Sequence, residues 1–355
     1  MAESLNRPPS TDTSTPLINW LKAEGVKNIP EKIKVHFDFG PHGTKPDAQR
    51  ARERIQKSDV ILIEGSFSEA GKALLMQVAR NTISFKAAAE RMGARPFMYE
   101  LLRLMKKGKV FIHPLDIPVT HPTEREMETV RYLLDTPEAT LFRVPPLSFE
   151  EARNELERQM RYVAHHAHVV REEYSTKEFR ELVKKALIEI PDLQKKKELN
   201  ITVIYGTAHT ALARRVGRAH GDVQVSQSIA PMPYRFSYET EFIRRISWGV
   251  AVPDKVKDDT LFEAMVHTLL KDVTDLLPTF RERTVYRRAV ADALSRDEWR
   301  SIYDALSTSD IANAATALKE KLKNAEVPIG DDPDVLKKWC ASRIAYQFGR
   351  PSPRK

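Results

Sequence analysis

Cysteine is almost absent. The single thiol, Cys340, excludes an intrachain disulfide framework and any zinc site built from several cysteines. In the helical stretch "VLKKWCASRIAY" it reads as a small buried hydrophobe. No apolar run approaches the ~20 residues that span a bilayer, and the opening "MAESLNRPPSTDTSTP" lacks the basic-then-apolar order of a secretory signal. Glycine is scarce, at 13 of 355 residues, and is not gathered into phosphate-binding patterns. G-x-G-x-x-G after the first strand and G-x-x-x-x-G-K-[ST] are both missing, so neither a dinucleotide nor a P-loop site is signalled. G-x-S-x-G and H-E-x-x-H are missing too, which removes the nucleophile elbow and the zinc-protease helix. These absences fit a cytoplasmic protein without a membrane span.

The composition is otherwise that of a folded chain, with 41% apolar and 30% charged residues. A net charge of +8 invites a nucleic-acid reading. Acidic and basic residues are nevertheless interspersed in "AQRARERIQKSD" and "FRELVKKALIEI", as on solvated helix faces. No aromatic-interleaved basic motif occurs, so nucleic acid is not the expected partner.

Short β-branched runs bounded by breakers predict strands at 32–39, 59–64, 109–113, 140–144, 201–206 and 222–227. Helical patterns lie between them, including a long helix over 148–173 that is followed by "TKEFRELVKKALIEI". Alternation of this kind predicts an α/β fold with a largely parallel or mixed sheet flanked by helices. After 237 the pattern becomes almost wholly helical. The expected organisation is a flexible tail over 1–17, an α/β core over 18–236, a helical C-terminal extension over 237–348 and a basic tail over 349–355. The extension could serve as a lid, a homo-oligomer interface or scaffold.

Ligands of open α/β sheets bind beyond the carboxyl ends of the strands. The residues there are His36, Asp38 and His42, then Glu64, then His113 and Asp116, then His209, then Gln227. His36 and Asp38 share a strand face and fit its polar side equally well. His42, in "GPHG", also fits a solvated turn. Glu64 closes an apolar run, where a buried carboxylate needs a partner. In "YGTAHTALARR" a strand gives way to a turn and a helix start, with Gly206 turning the backbone and Thr207 placed to cap. His209 then points to the crevice, where free helix N–H groups could hold an anion. His165, His166 and His168 form the densest histidine cluster but lack the i, i+4 spacing of a helical metal pair.

Taken together, these pieces resemble the TraB/Tiki superfamily, which includes erythromycin-esterase-like and ChaN-like proteins. "DVILIEG" resembles the family's acidic strand and carries over Glu64. "VVREEYSTKEF" resembles its arginine helix and carries over Arg171, and "IYGTAHT" matches its second G-x-x-H with Gly206 and His209. The first G-x-x-H is here the G-x-H of Gly40 and His42, so His42 or His36 is the equivalent, with His42 favoured. The resemblance spans about residues 30–230. It implies a hydrolase of peptide or ester bonds, with Glu64, His209, Arg171 and His42 as catalytic residues. A divalent metal ion on His42, Glu64, His209 and His36 is one implied route to an activated water. A metal-free route uses His209 or His42 as general base with Glu64 orienting the water, and Arg171 facing the oxyanion or a substrate carboxylate. The shifted first motif fits equally a protein that binds a small molecule or peptide without turning it over.

Overall fold

The structure is a computed structural model that describes residues 15–40, 42, 45–65, 67–105, 110–118, 120–136, 146–230, 237–308 and 311–348. Five strands form one all-parallel sheet: β1 (Lys32–Phe39), β2 (Val60–Ile63), β3 (Phe111–Pro114), β4 (Glu198–Tyr205) and β5 (Gln224–Ile229), in the order β3-β2-β4-β1-β5. The strand expected at 140–144 lies outside the described residues.

Side-chain alternation divides the sheet between two layers. Ile33, Val35, Phe37 and Phe39 of β1 and Leu199, Ile201, Val203 and Tyr205 of β4 pack on one face. The helices Leu17–Ala23, Val170–Glu189 and Ala211–Ala219 cover that face. On the other, Ile61, Ile63, Ile112 and Ile204 meet the helices between residues 45 and 104. Strands buried on both sides need near-continuous apolar sequence, which is why β2 reads as plain "VILI".

The order places β4 between β1 and β2, although it follows both by more than a hundred residues. The chain leaving β1 runs to helices on one face, and the chain leaving β4 runs to a helix on the other. Connections that diverge to opposite faces from neighbouring strands open a crevice at their carboxyl ends.

The contacts divide the chain into two compact units, Met1–His121 with Val170–Ala230 and Pro122–Val169 with Pro231–Lys355. The contiguous 18–236 core expected from sequence is therefore interrupted. Residues 122–169 belong with the C-terminal helices because Phe149, Ala152, Leu156, Met160 and Val163 bury their stripe among Phe242, Phe262, Met265 and Tyr303. That second unit is helical among its described residues, with Phe262 stacked on Trp299 at 5.2 Å and Cys340 buried within it. The expected tail also ends too late. Leu17 begins a helix whose first amides, Leu17 and Ile18, each donate to the Asp222 carboxylate at 2.7 Å.

The long helix expected over 148–173 is two α-helices, Phe149–Val163 and Val170–Glu189, joined by a π-helical stretch over Ala164–Val169. That stretch holds His165, His166 and His168, and the second α-helix absorbs the separate one expected after it. Among the described residues no helix is long and apolar enough to cross a membrane.

Candidate functional site

Parallel pairing aligns the ends of β1, β4 and β2 in one row. Gly40 N–H donates to the Tyr205 carbonyl at 3.1 Å, and Glu64 N–H donates to the Ile204 carbonyl at 2.9 Å. Each strand end then brings one chemical group into a single cluster: His42 after β1, Glu64 after β2 and His209 after β4. Arg171 arrives from the first turn of the Val170–Glu189 helix.

Arg171 is the hub. Its Nε donates to Asp116 Oδ1 at 2.9 Å and its Nη2 to Asp116 Oδ2, a bidentate pair, while Nη2 also reaches Glu64 Oε1 at 3.1 Å. Burial works against the guanidinium charge, but the Asp116 and Glu64 carboxylates outweigh it and raise the pKa further. Asp116 is held in turn by the amides of Ile117, at 2.9 Å, and Gly65, at 3.1 Å. Gly65 has φ +131°, a conformation that only glycine adopts without strain.

Glu64 divides its two oxygens. Oε1 faces Arg171, and Oε2 accepts from the Gly206 amide. The carboxylate lies so close over Gly206 that an added Cβ would meet Oε2 at 2.9 Å, which explains the glycine at this turn. Thr207–His209 forms a single 3₁₀ turn, closed by His209 N–H donating to the Gly206 carbonyl. Among the described residues no side chain caps that turn, so the capping expected of Thr207 is not seen, and the longer helix begins only at Ala211.

His209 is buried behind this pair. Its Nε2 lies 3.5 Å from both Glu64 Oε1 and Arg171 Nη1, its Nδ1 lies 3.5 Å from Glu172 Oε1, and the Tyr205 ring meets it edge-on. Burial, reinforced by the charge of Arg171, lowers its pKa well below the usual value, so the ring is neutral at pH 7. His42 is lowered as well, mainly by burial, with Glu64 acting in the opposite direction. Its ring packs on Phe97 at a centroid distance of 5.0 Å. Neither His42 nitrogen makes a well-formed hydrogen bond among the described residues, although the Tyr205 carbonyl faces the ring.

His36 does not join them. Its nitrogens are bound by Ser226 at 2.9 Å and Ser228 at 3.0 Å on β5, so it is the polar side of a strand. Asp38, on the same strand face, is buried against Arg50 and Arg54. His113 stacks on Phe111 and bonds the Pro114 carbonyl at 2.8 Å. The ligand set His42, Glu64, His209 and His36 does not fit a divalent ion. His36 is tied off elsewhere, and the positive charge among the other three is the Arg171 guanidinium itself, bonded to Glu64 and abutting His209 Nε2. Among the described residues, no three His, Cys, Asp or Glu side chains are grouped to hold a metal.

Two members of the cluster stand out only in three dimensions. Asp116 is one of the polar residues that follow β3, and nothing in its sequence marks it as the partner of Arg171. Glu172 reads as one more acid in "REEY", yet it is fully buried. Burial pushes its carboxyl up to about 8, against the pull of Arg215, whose Nε lies 3.1 Å from Oε2.

Compared with known proteins, the chain matches no family model, no curated protein and no solved structure at a significant level.

Proposed function

We propose that this crevice hydrolyses an ester or peptide bond in a small molecule or peptide without a metal ion, in the manner that the TraB/Tiki resemblance implies. The observation that carries the reading is the convergence of a neutral imidazole, His209, with a carboxylate and a guanidinium at the strand ends. Glu64 places the water. As the water oxygen bonds to the carbonyl carbon, its proton passes to His209 Nε2 and the carbonyl electron pair becomes an oxyanion beside Arg171. Collapse of the intermediate expels the alcohol or amine, which takes the proton back from His209. Asp116 fixes the guanidinium fork so that no reorganisation is needed when charge develops. A cytoplasmic setting accords with the single buried thiol.

Purified protein is assayed against p-nitrophenyl esters and a fluorogenic peptide panel, alongside His209→Ala. Turnover that drops by about 10²- to 10⁴-fold in the variant supports the reading. Equal turnover removes His209 from the mechanism. A second reading, capture of a carboxylate ligand without turnover, is favoured by one observation: both Glu64 oxygens are already engaged, by Arg171 and the Gly206 amide. Saturable binding by a protein that turns over none of the panel would favour that reading.

A further inference from the structure

A neutral histidine acts as a base at only one nitrogen, and which one depends on what holds the other. Nε2 of His209 lies 3.5 Å from Glu64 Oε1 and from Arg171 Nη1, which can only donate to it, whereas Nδ1 lies 3.5 Å from Glu172 Oε1. Glu172 Oε2 is occupied by Arg215, and Oε1 makes no hydrogen bond among the described residues, although the side chain is fully buried. A buried carboxylate oxygen left over in this way needs an explanation. The charged and titratable groups around the pair are Arg171 and Glu173 on its own helix, Arg215 on the helix after β4, and Glu64 and His42 at the strand ends.

We propose that Glu172 is the positioning residue of His209: once ionised, its carboxylate accepts the Nδ1 proton and so leaves the Nε2 lone pair on the side of Glu64 and Arg171. The inference rests on the hydrolytic reading above and assigns the residue that prepares its base. At 3.5 Å the contact is slightly longer than a formed N–H···O bond, as catalytic contacts commonly are before substrate arrives. Merely neutralising Arg215 would account for Oε2 and leave Oε1 unexplained.

The test compares wild type, Glu172→Gln, Glu172→Asp and His209→Ala at pH 9, with p-nitrophenyl butyrate as probe. Imidazole ¹⁵N spectra of histidine-labelled wild type and the two Glu172 variants report the His209 tautomer without reference to turnover. The amide of Glu172→Gln can donate to Nδ1 and so hold the wrong tautomer. It should lower kcat by about 10²- to 10⁴-fold at unchanged KM and move the proton to Nε2 in the spectrum. Glu172→Asp should recover part of kcat and keep the wild-type tautomer. An unchanged His209 tautomer in Glu172→Gln overturns the proposal, whether or not the butyrate is turned over, and a hydrolytic reading supported by His209→Ala would then survive without it. Conversely, a tautomer change in Glu172→Gln together with full activity in His209→Ala keeps the positioning role and removes the hydrolytic one.

Discussion

Arg171 holds its charge in a largely buried place because Asp116 and Glu64 face it from two directions. Removing one partner of such a pair leaves the others charged and unmatched. Arg171→Met should therefore destabilise the sheet-containing unit by about 3–5 kcal/mol, read by urea denaturation. Arg171→Lys separates the two roles, since an ammonium keeps the charge but cannot form the bidentate fork to Asp116. It should unfold near wild type and lose most of its turnover. Gly206→Ala acts differently again. The new Cβ meets only the tip of the Glu64 side chain, so Glu64 moves while the fold stays. A displacement of that size should cost up to about 10²-fold in kcat, with a melting temperature close to wild type. Chelator dialysis should leave activity unchanged, because a guanidinium already supplies the cation of the cluster. Loss of activity on dialysis, restored by a divalent metal, would overturn the metal-free route.

Elements decide which of these groups can meet. The apolar runs "DVILIE" and "ITVIYG" mark β2 and β4 plainly, because strands buried on both faces leave little freedom in composition, and "KIKVHFDF" marks β1 by its alternation. Their order is not legible. β4 enters between β1 and β2 through pairings such as His36 with Thr202 and Leu62 with Val203, which join residues far apart in the chain. Hence Glu64, Arg171 and His209 can be picked out as strand-end and helix residues, but Asp116 and Glu172 gain meaning only once β4 is in place. The same limit explains His36. Nothing local says that β5 will bring Ser226 and Ser228 against its ring. At the chain's start, Asp222 precedes β5 and ties down the Leu17–Ala23 helix through two amides. Asp222→Ala should cost about 1 kcal/mol, the value of a lost N-terminal cap. In hydrogen exchange it should deprotect the amides of Leu17 and Ile18 while those of β4 remain slow.

At the scale of the whole molecule, each unit contains a buried carboxyl that titrates far above its usual range. Glu172 in the sheet-containing unit and Glu263 in the helical one are each pushed up to about 8, mainly by burial. Glu263 Oε2 accepts from the Tyr238 amide at 2.8 Å, and its other oxygen makes no hydrogen bond among the described residues. In the unfolded chain both carboxyls would ionise near 4.5. The protonated form is thus favoured by folding. Its contribution is complete below pH 4.5 and lost as pH rises to about 8. His209 has the opposite slope, since a buried neutral imidazole disfavours the fold as pH falls below 6.5. From pH 4.5 to 6.5 the two effects oppose each other, and from 6.5 to 8 only the carboxyls act. Stability should therefore fall over that upper interval, by at most about 1.4 kcal/mol per pH unit for each carboxyl. Glu263→Gln keeps the shape and removes the ionisation. It should match or fall slightly below wild type at pH 5 and exceed it in melting temperature at pH 8.5. If the gain at pH 8.5 does not appear, Glu263 is not protonated in the folded state at pH 7.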